Sequence, residues 1–143
     1  CGTNGKPYFK GYANLHFNLS HSGNFAVCIV AGMPCGIDIE GNRPFKPSVA
    51  KRFFSKTEYH WIYDTENVSV QAERFFRLWT LKEAYAKATG NGIAAEIHAA
   101  SYVPDTDSDG LCFADSETGK HFQIKEAEYD GLRIAAVLSD SAF

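Results

Sequence analysis

Three carboxylates and two lysines stand in two short segments about forty residues apart. The first is Gly36-Ile37-Asp38-Ile39-Glu40, and the second is Trp79-Thr80-Leu81-Lys82-Glu83-Ala84-Tyr85-Ala86-Lys87. Such a set can hold a hard divalent cation against a diphosphate, because magnesium takes carboxylate oxygens, keeps several waters and completes its shell with substrate phosphate. In a strand, Asp38 and Glu40 point to one face, while Ile37 and Ile39 point to the other and anchor a core. Two like charges that close raise each other's pKa unless a cation neutralises them. An isolated Asp-x-Glu is more often a solvated strand face, so this pattern alone leaves both readings open.

The lysines require a helix. From about Val70 to Thr89 there is neither Pro nor Gly, and Gly90 supplies a natural end. Trp79, Glu83 and Lys87 recur at i, i+4 and i+8 and form one stripe. Phe75, Leu78, Leu81 and Tyr85 mostly follow helical spacing on a neighbouring face, read as the buried one. By itself the Glu83–Lys87 spacing is equally that of an exposed ion pair worth about 0.3–0.5 kcal/mol. Lys82 adjoins Glu83 but points about 100° away around the helix, so it ranks below Lys87 as a site residue.

Taken together and in order, the segments resemble the 4′-phosphopantetheinyl transferases, specifically the surfactin-synthetase-activating type. That family carries Gly-Ile-Asp-Ile-Glu followed by Trp-Ser/Thr-x-Lys-Glu-Ala/Ser-x-x-Lys, and both are matched here. Upstream, Phe17-Asn18-Leu19-Ser20-His21-Ser22 resembles the family's Asn-x-Ser-His-Ser element. The similarity continues through Ala50-Lys51-Arg52-Phe53-Phe54-Ser55-Lys56-Thr57-Glu58 and Gly90-Asn91-Gly92-Ile93, and more loosely to about Leu138.

The resemblance implies transfer of the 4′-phosphopantetheine arm from coenzyme A to a serine of an acyl- or peptidyl-carrier protein, releasing adenosine 3′,5′-bisphosphate. It assigns Asp38, Glu40 and Glu83 to one Mg²⁺. Glu83, directly or through a metal-bound water, is the base toward the carrier serine, and Lys87 binds the phosphate under attack. Ser20 and His21 contact the nucleotide phosphates, with His21 near the 3′-phosphate. Lys6 approaches the nucleotide. Without the resemblance, His21 reads as a turn cap beside serines and Lys6 as an exposed linker lysine. Segment Pro44 to Phe54, with Lys46, Lys51, Arg52 and the Phe53-Phe54 pair, faces the carrier in the family; a basic, apolar patch suits an acidic helical bundle.

In the family a Gly-Lys-Pro segment joins two similar halves. Gly5-Lys6-Pro7 therefore marks residues 1–12 as an inter-half linker remnant and residues 13–143 as the second-half domain. The implied fold is α+β, a small antiparallel sheet packed on a long helix, forming one half of a pseudo-dimer. First-half basic residues that contact the 3′-phosphate have no counterpart here. The missing half, or self-association like that of the trimeric holo-acyl-carrier-protein synthases, would supply the other wall of the cleft.

Composition agrees with such a domain. The 143 residues have room for one core, and a 45% apolar content is that of a globular chain. No apolar run approaches the ~20 residues of a spanning helix, and no signal sequence opens the chain. A net charge of −3 gives no general attraction to nucleic acid. Cys1, Cys28, Cys35 and Cys112 form no C-x-x-C pair, which disfavours zinc and fits a reducing cytosol. The expectation is a cytoplasmic protein that acts without membrane or nucleic acid.

The pattern of elements predicts a strand over Asn14–Leu19 leading into a Ser20-His21-Ser22 turn. Phe25–Val30 and Cys35–Glu40 read as a hairpin across Gly32-Met33-Pro34. Short helices are expected over Ser48–Phe53 and, from the capping-box spacing Ser55-Lys56-Thr57-Glu58, to about Tyr63. The long helix comes next, then strands near 97–103, 110–114, 120–128 and 132–138, with an acidic surface turn over Pro104–Gly110. Two other function classes fit parts of this. A magnesium-dependent nuclease or phosphatase would use Asp-x-Glu but leaves the Ser-His-Ser and Trp-Thr-x-Lys-Glu elements unexplained. A non-catalytic half would bind carrier or nucleotide without turnover, although three intact carboxylates argue against it.

Overall fold

A computed structural model describes residues 8–12, 14–41, 43–92, 100–104, 111–115 and 122–139. Lys6, Ile93, His98, His121 and most of the acidic 104–110 turn lie outside the described residues. The chain runs β1 (His16–Ser22), β2 (Phe25–Ala31), β3 (Cys35–Gly41), α1 (Pro47–Phe53), α2 (Lys56–Tyr63), α3 (Val68–Thr89), β4 (Ala100–Pro104), β5 (Leu111–Asp115), β6 (Phe122–Tyr129) and β7 (Leu132–Ser139). This is the expected α+β class, with small antiparallel sheets against a long helix.

Local chemistry accounts for the helices. Pro47 opens α1 at a position where its missing N–H costs nothing. Ser55 and Glu58 form the predicted capping box of α2. Asn67 caps α3 two residues earlier than expected, its Oδ1 accepting from the amides of Ser69 and Val70. Gly90, at φ 79°, closes α3 in the left-handed conformation that glycine adopts without strain. Phe75, Leu78, Leu81 and Tyr85 are buried as their spacing predicts. They join Ile62, Phe54 and Phe76 with Ala135 and Val137 of β7 in one core. Each fully buried large apolar side chain there contributes roughly 1.5–3 kcal/mol.

Two strand expectations need correcting. Ser20-His21-Ser22 is not a turn but the end of β1. The reversal comes one step later at Gly23-Asn24, a two-residue loop with Gly23 at φ 57°, which pairs Ser22 with Phe25. Nor do β2 and β3 form a hairpin. Among the described residues β2 pairs only with β1. β3 pairs with β7, placing Asp38 opposite Ala135, and β7 pairs onward with β6. The tight Gly23-Asn24 reversal makes β1 the partner of β2, whereas Gly32-Met33-Pro34 carries the chain across to a second sheet. Side-chain hydrogen bonds join the two sheets: buried Asn18 accepts the Ile37 amide through Oδ1 at 2.9 Å, and the Ser20 hydroxyl donates to Asp38 at 2.8 Å. Among the described residues no helix is long and apolar enough to cross a membrane.

Candidate functional site

β3 and α3 meet at Gly36. A Cβ there would fall well inside contact distance of the Ala84 carbonyl oxygen and 2.5 Å from Ala88 N, so only glycine lets the helix backbone lie directly on the strand. Strand alternation puts Asp38 and Glu40 on the same face as Gly36, hence toward α3. This close approach is what brings carboxylates and helix stripe together. The segment is visible in the sequence, whereas the role of its glycine depends on the helix packed against it.

Asp38 is the centre of the cluster. Its side chain is 7% exposed, and Lys87 Nζ contacts Oδ1 at 2.6 Å. The Ser20 hydroxyl donates to the same oxygen at 2.8 Å. Lys87 also donates to Ser20 Oγ at 3.1 Å and to the Ile37 carbonyl at 3.2 Å. Strand β1, strand β3 and helix α3 therefore each contribute one side chain to a single contact point. Asp38 Oδ2 is buried and has no hydrogen-bond partner among the described residues. Glu40, at the rim, pairs with exposed Arg43 at 2.6 Å.

Glu83 sits one turn before Lys87 and is half-buried. Burial pushes its carboxyl above the usual range. The charge of Asp38 adds to that rise and Glu40 adds less, while Lys87 opposes both. Glu83 is thus close enough to Asp38 and Glu40 for both charges to act on it. Among the described residues, however, no three His, Cys, Asp or Glu side chains converge as a ready-made cation cage.

The other expected residues divide. Ser20 is in the cluster. His21, next along β1, points to the opposite face, is exposed and stands across from Ala26, so Ser20 and His21 are not brought together. Lys82 is almost fully buried and pairs with Glu58 of α2 at 3.1 Å. Burial lowers its pKa, and the Glu58 carboxylate works against that. Its buried partner was not expected, although the capping-box glutamate was visible. Of the docking segment, Phe54 is core at 5% exposed and Phe53 is half-buried, edge-on to Trp79. Lys51 and Arg52 are exposed on the last turn of α1.

Helix α3 thus carries Glu83 and Lys87 against the Asp-x-Glu strand, with Ser20 reaching the same point from a neighbouring hairpin. The family model of the 4′-phosphopantetheinyl transferase superfamily matches residues 34–137, and this chain belongs to that superfamily. It is 40% identical over 93 residues to the 4′-phosphopantetheinyl transferase Sfp of Bacillus subtilis, covering 65% of this chain and 41% of the relative. To the 4′-phosphopantetheinyl transferase HetI of Nostoc it is 49% identical over 98 residues, covering 64% and 41%. The chain thus spans about 40% of the length of these curated relatives. The fold is shared with the Helicobacter pylori holo-[acyl-carrier-protein] synthase in complex with coenzyme A. There the TM-score is 0.58 at 21% identity, covering 74% of this chain and 99% of that one.

Proposed function

We propose that this chain forms one wall of the active site of a cytoplasmic 4′-phosphopantetheinyl transferase. It would move the phosphopantetheine arm of coenzyme A to a carrier-protein serine and release adenosine 3′,5′-bisphosphate. The observation that carries this reading is the meeting of Ser20, Asp38 and Lys87 beside Glu83. Superfamily membership and the coenzyme A bound by the Helicobacter pylori neighbour support it.

Phosphoryl transfer asks a protein for positioning and charge neutralisation. Lys87 places an ammonium where a diphosphate oxygen can replace Ser20 as its partner, steadying the phosphate under attack. Glu83, with its raised affinity for protons, is suited to take the proton of the carrier serine. Ser20 would turn its hydroxyl from Asp38 to a phosphate oxygen of the nucleotide. His21 and Lys6 complete the nucleotide contacts of this proposal, His21 from the exposed face of β1.

The donor set suits Mg²⁺. Among the described residues Asp38 Oδ2 is a buried carboxylate oxygen without a hydrogen-bond partner, and Glu83 and Glu40 add hard oxygen donors nearby. Magnesium binds through one or two carboxylates plus substrate phosphate, so it needs no all-protein cage. When bound by Asp38, Glu40 and Glu83 it would neutralise diphosphate charge. The exposed cations Lys51 and Arg52 offer an acidic carrier a docking edge. Residues 1–12 are proposed to lead from a first half that supplies the other wall.

The test is intact mass spectrometry of an apo carrier protein incubated with the full-length protein, Mg²⁺ and coenzyme A. A gain of one phosphopantetheine arm per carrier supports the proposal; an unchanged carrier refutes it.

A further inference from the structure

The motif lysine Lys82 and the capping glutamate Glu58 take no part in the chemistry above, yet they form a buried ion pair with side chains 2% and 0% exposed. Such pairs are weak sources of stability, because desolvation offsets their attraction and well-packed apolar replacements are often neutral or stabilising. Holding geometry is the better account of this one. Glu58 uses both carboxylate oxygens. Oε1 meets Lys82 Nζ at 3.1 Å, and Oε2 accepts the Ser55 amide at 2.7 Å. Ser55 Oγ in turn accepts the Glu58 amide at 3.2 Å and lies 3.2 Å from Ser101 Oγ of β4. The Lys82 ammonium also stands over the Phe54 ring at 5.8 Å. Every one of these contacts converges on the corner between α1 and α2.

We propose that Glu58 and Lys82 are positioning residues: their buried pair fixes the rotation of α3 about its axis relative to the α1–α2 corner. Gly36 sets how closely α3 approaches β3, but a helix resting on a glycine can still roll. Lys82 is anchored about 100° around the helix from Glu83, so a roll that turned Glu83 and Lys87 away from Asp38 would pull Lys82 off Glu58. The same pair ties Glu83 to Lys51 and Arg52, the edge offered to the carrier. In its catalytic consequence the inference rests on the proposed transfer reaction.

The test compares the unsubstituted full-length protein with Glu58→Gln/Lys82→Met. Lys82→Met alone would leave a buried charge unpaired and fold poorly. The double variant removes both charges, keeps similar volumes and retains a capping-box acceptor for the Ser55 amide. The expected result has two parts: a melting temperature close to the parent's, and a kcat lower by roughly 10-fold or more, as misplaced reacting groups produce. Amide exchange should also quicken in Leu81–Ala88 while the β6–β7 hairpin keeps its protection. A double variant with the parent's kcat and the parent's exchange in α3 would overturn the inference. If the unsubstituted protein transfers no arm, the proposed function fails, and the exchange comparison alone decides the positioning role.

Discussion

Lys87 reaches from α3 across to Asp38 on β3, with Nζ 2.6 Å from Oδ1. The lysine therefore spans from helix to strand, and the exposed i,i+4 pair that its spacing from Glu83 allowed is not its principal contact. A buried carboxylate and a partly exposed ammonium share one point with Ser20, at the place where three elements converge.

Lys87→Met should damage both fold and function. Asp38 would keep its burial and lose its cation, which costs on the order of 1–3 kcal/mol. Urea denaturation reads that loss. Loss of the phosphate contact should lower kcat by on the order of 10²-fold, judged by other charge-stabilising groups. Near-parent turnover would remove Lys87 from the site.

Gly36→Ala tests the close approach of helix and strand. The new methyl meets backbone atoms of Ala84 and Ala88 that cannot rotate away, so α3 must lift. Overpacking of this kind costs typically 1–3 kcal/mol. Thermal melting should show the loss, and calorimetry should show weaker coenzyme A binding.

Glu83 has a pH signature in the metal-free protein. Burial, then Asp38, raises its pKa. Followed by NMR in chelator-containing buffer, its carboxyl should therefore titrate above the usual Glu value of about 4.3. Titration at or below that value would contradict the role of burial.

The same shift predicts a stability effect. Because the folded pKa exceeds the unfolded one, the native state binds more protons between the two, and stability falls as pH rises through that window. Glu83→Gln should therefore raise the melting temperature at neutral pH in chelator-containing buffer. Below the ordinary glutamate pKa, about 4.3, the gain should vanish. Stability would rise while transfer is lost, separating a functional glutamate from a structural one.

Much of this was legible locally. Ser55 with Glu58 forecast the start of α2, and Gly90 the end of α3, because caps are encoded within a few residues. The Asp38 and Lys87 assignments came from motif order, and the structure brings both residues to one point. Strand pairing was less legible. Gly32-Met33-Pro34 looked like a hairpin turn, but the partner of Cys35–Gly41 is Leu132–Ser139, from the far end of the chain, and no local signal carries such a pairing. The turn placed at Ser20-His21-Ser22 missed the two-residue reversal one step later, and with it the alternation that sends Ser20 and His21 to opposite faces. Lys82 and Gly36 were visible as residues, but their partners are tertiary.

The central claim is that Glu83, beside Asp38 and Lys87, drives transfer to a carrier. The most direct measurement is the intact mass of an apo carrier incubated with coenzyme A, Mg²⁺ and either the full-length protein or its Glu83→Ala variant, with and without chelator. The account predicts one added phosphopantetheine arm for the unsubstituted protein, none when chelator is present, and none for a folded Glu83→Ala protein. A Glu83→Ala protein that loads the carrier at the parental rate would contradict it.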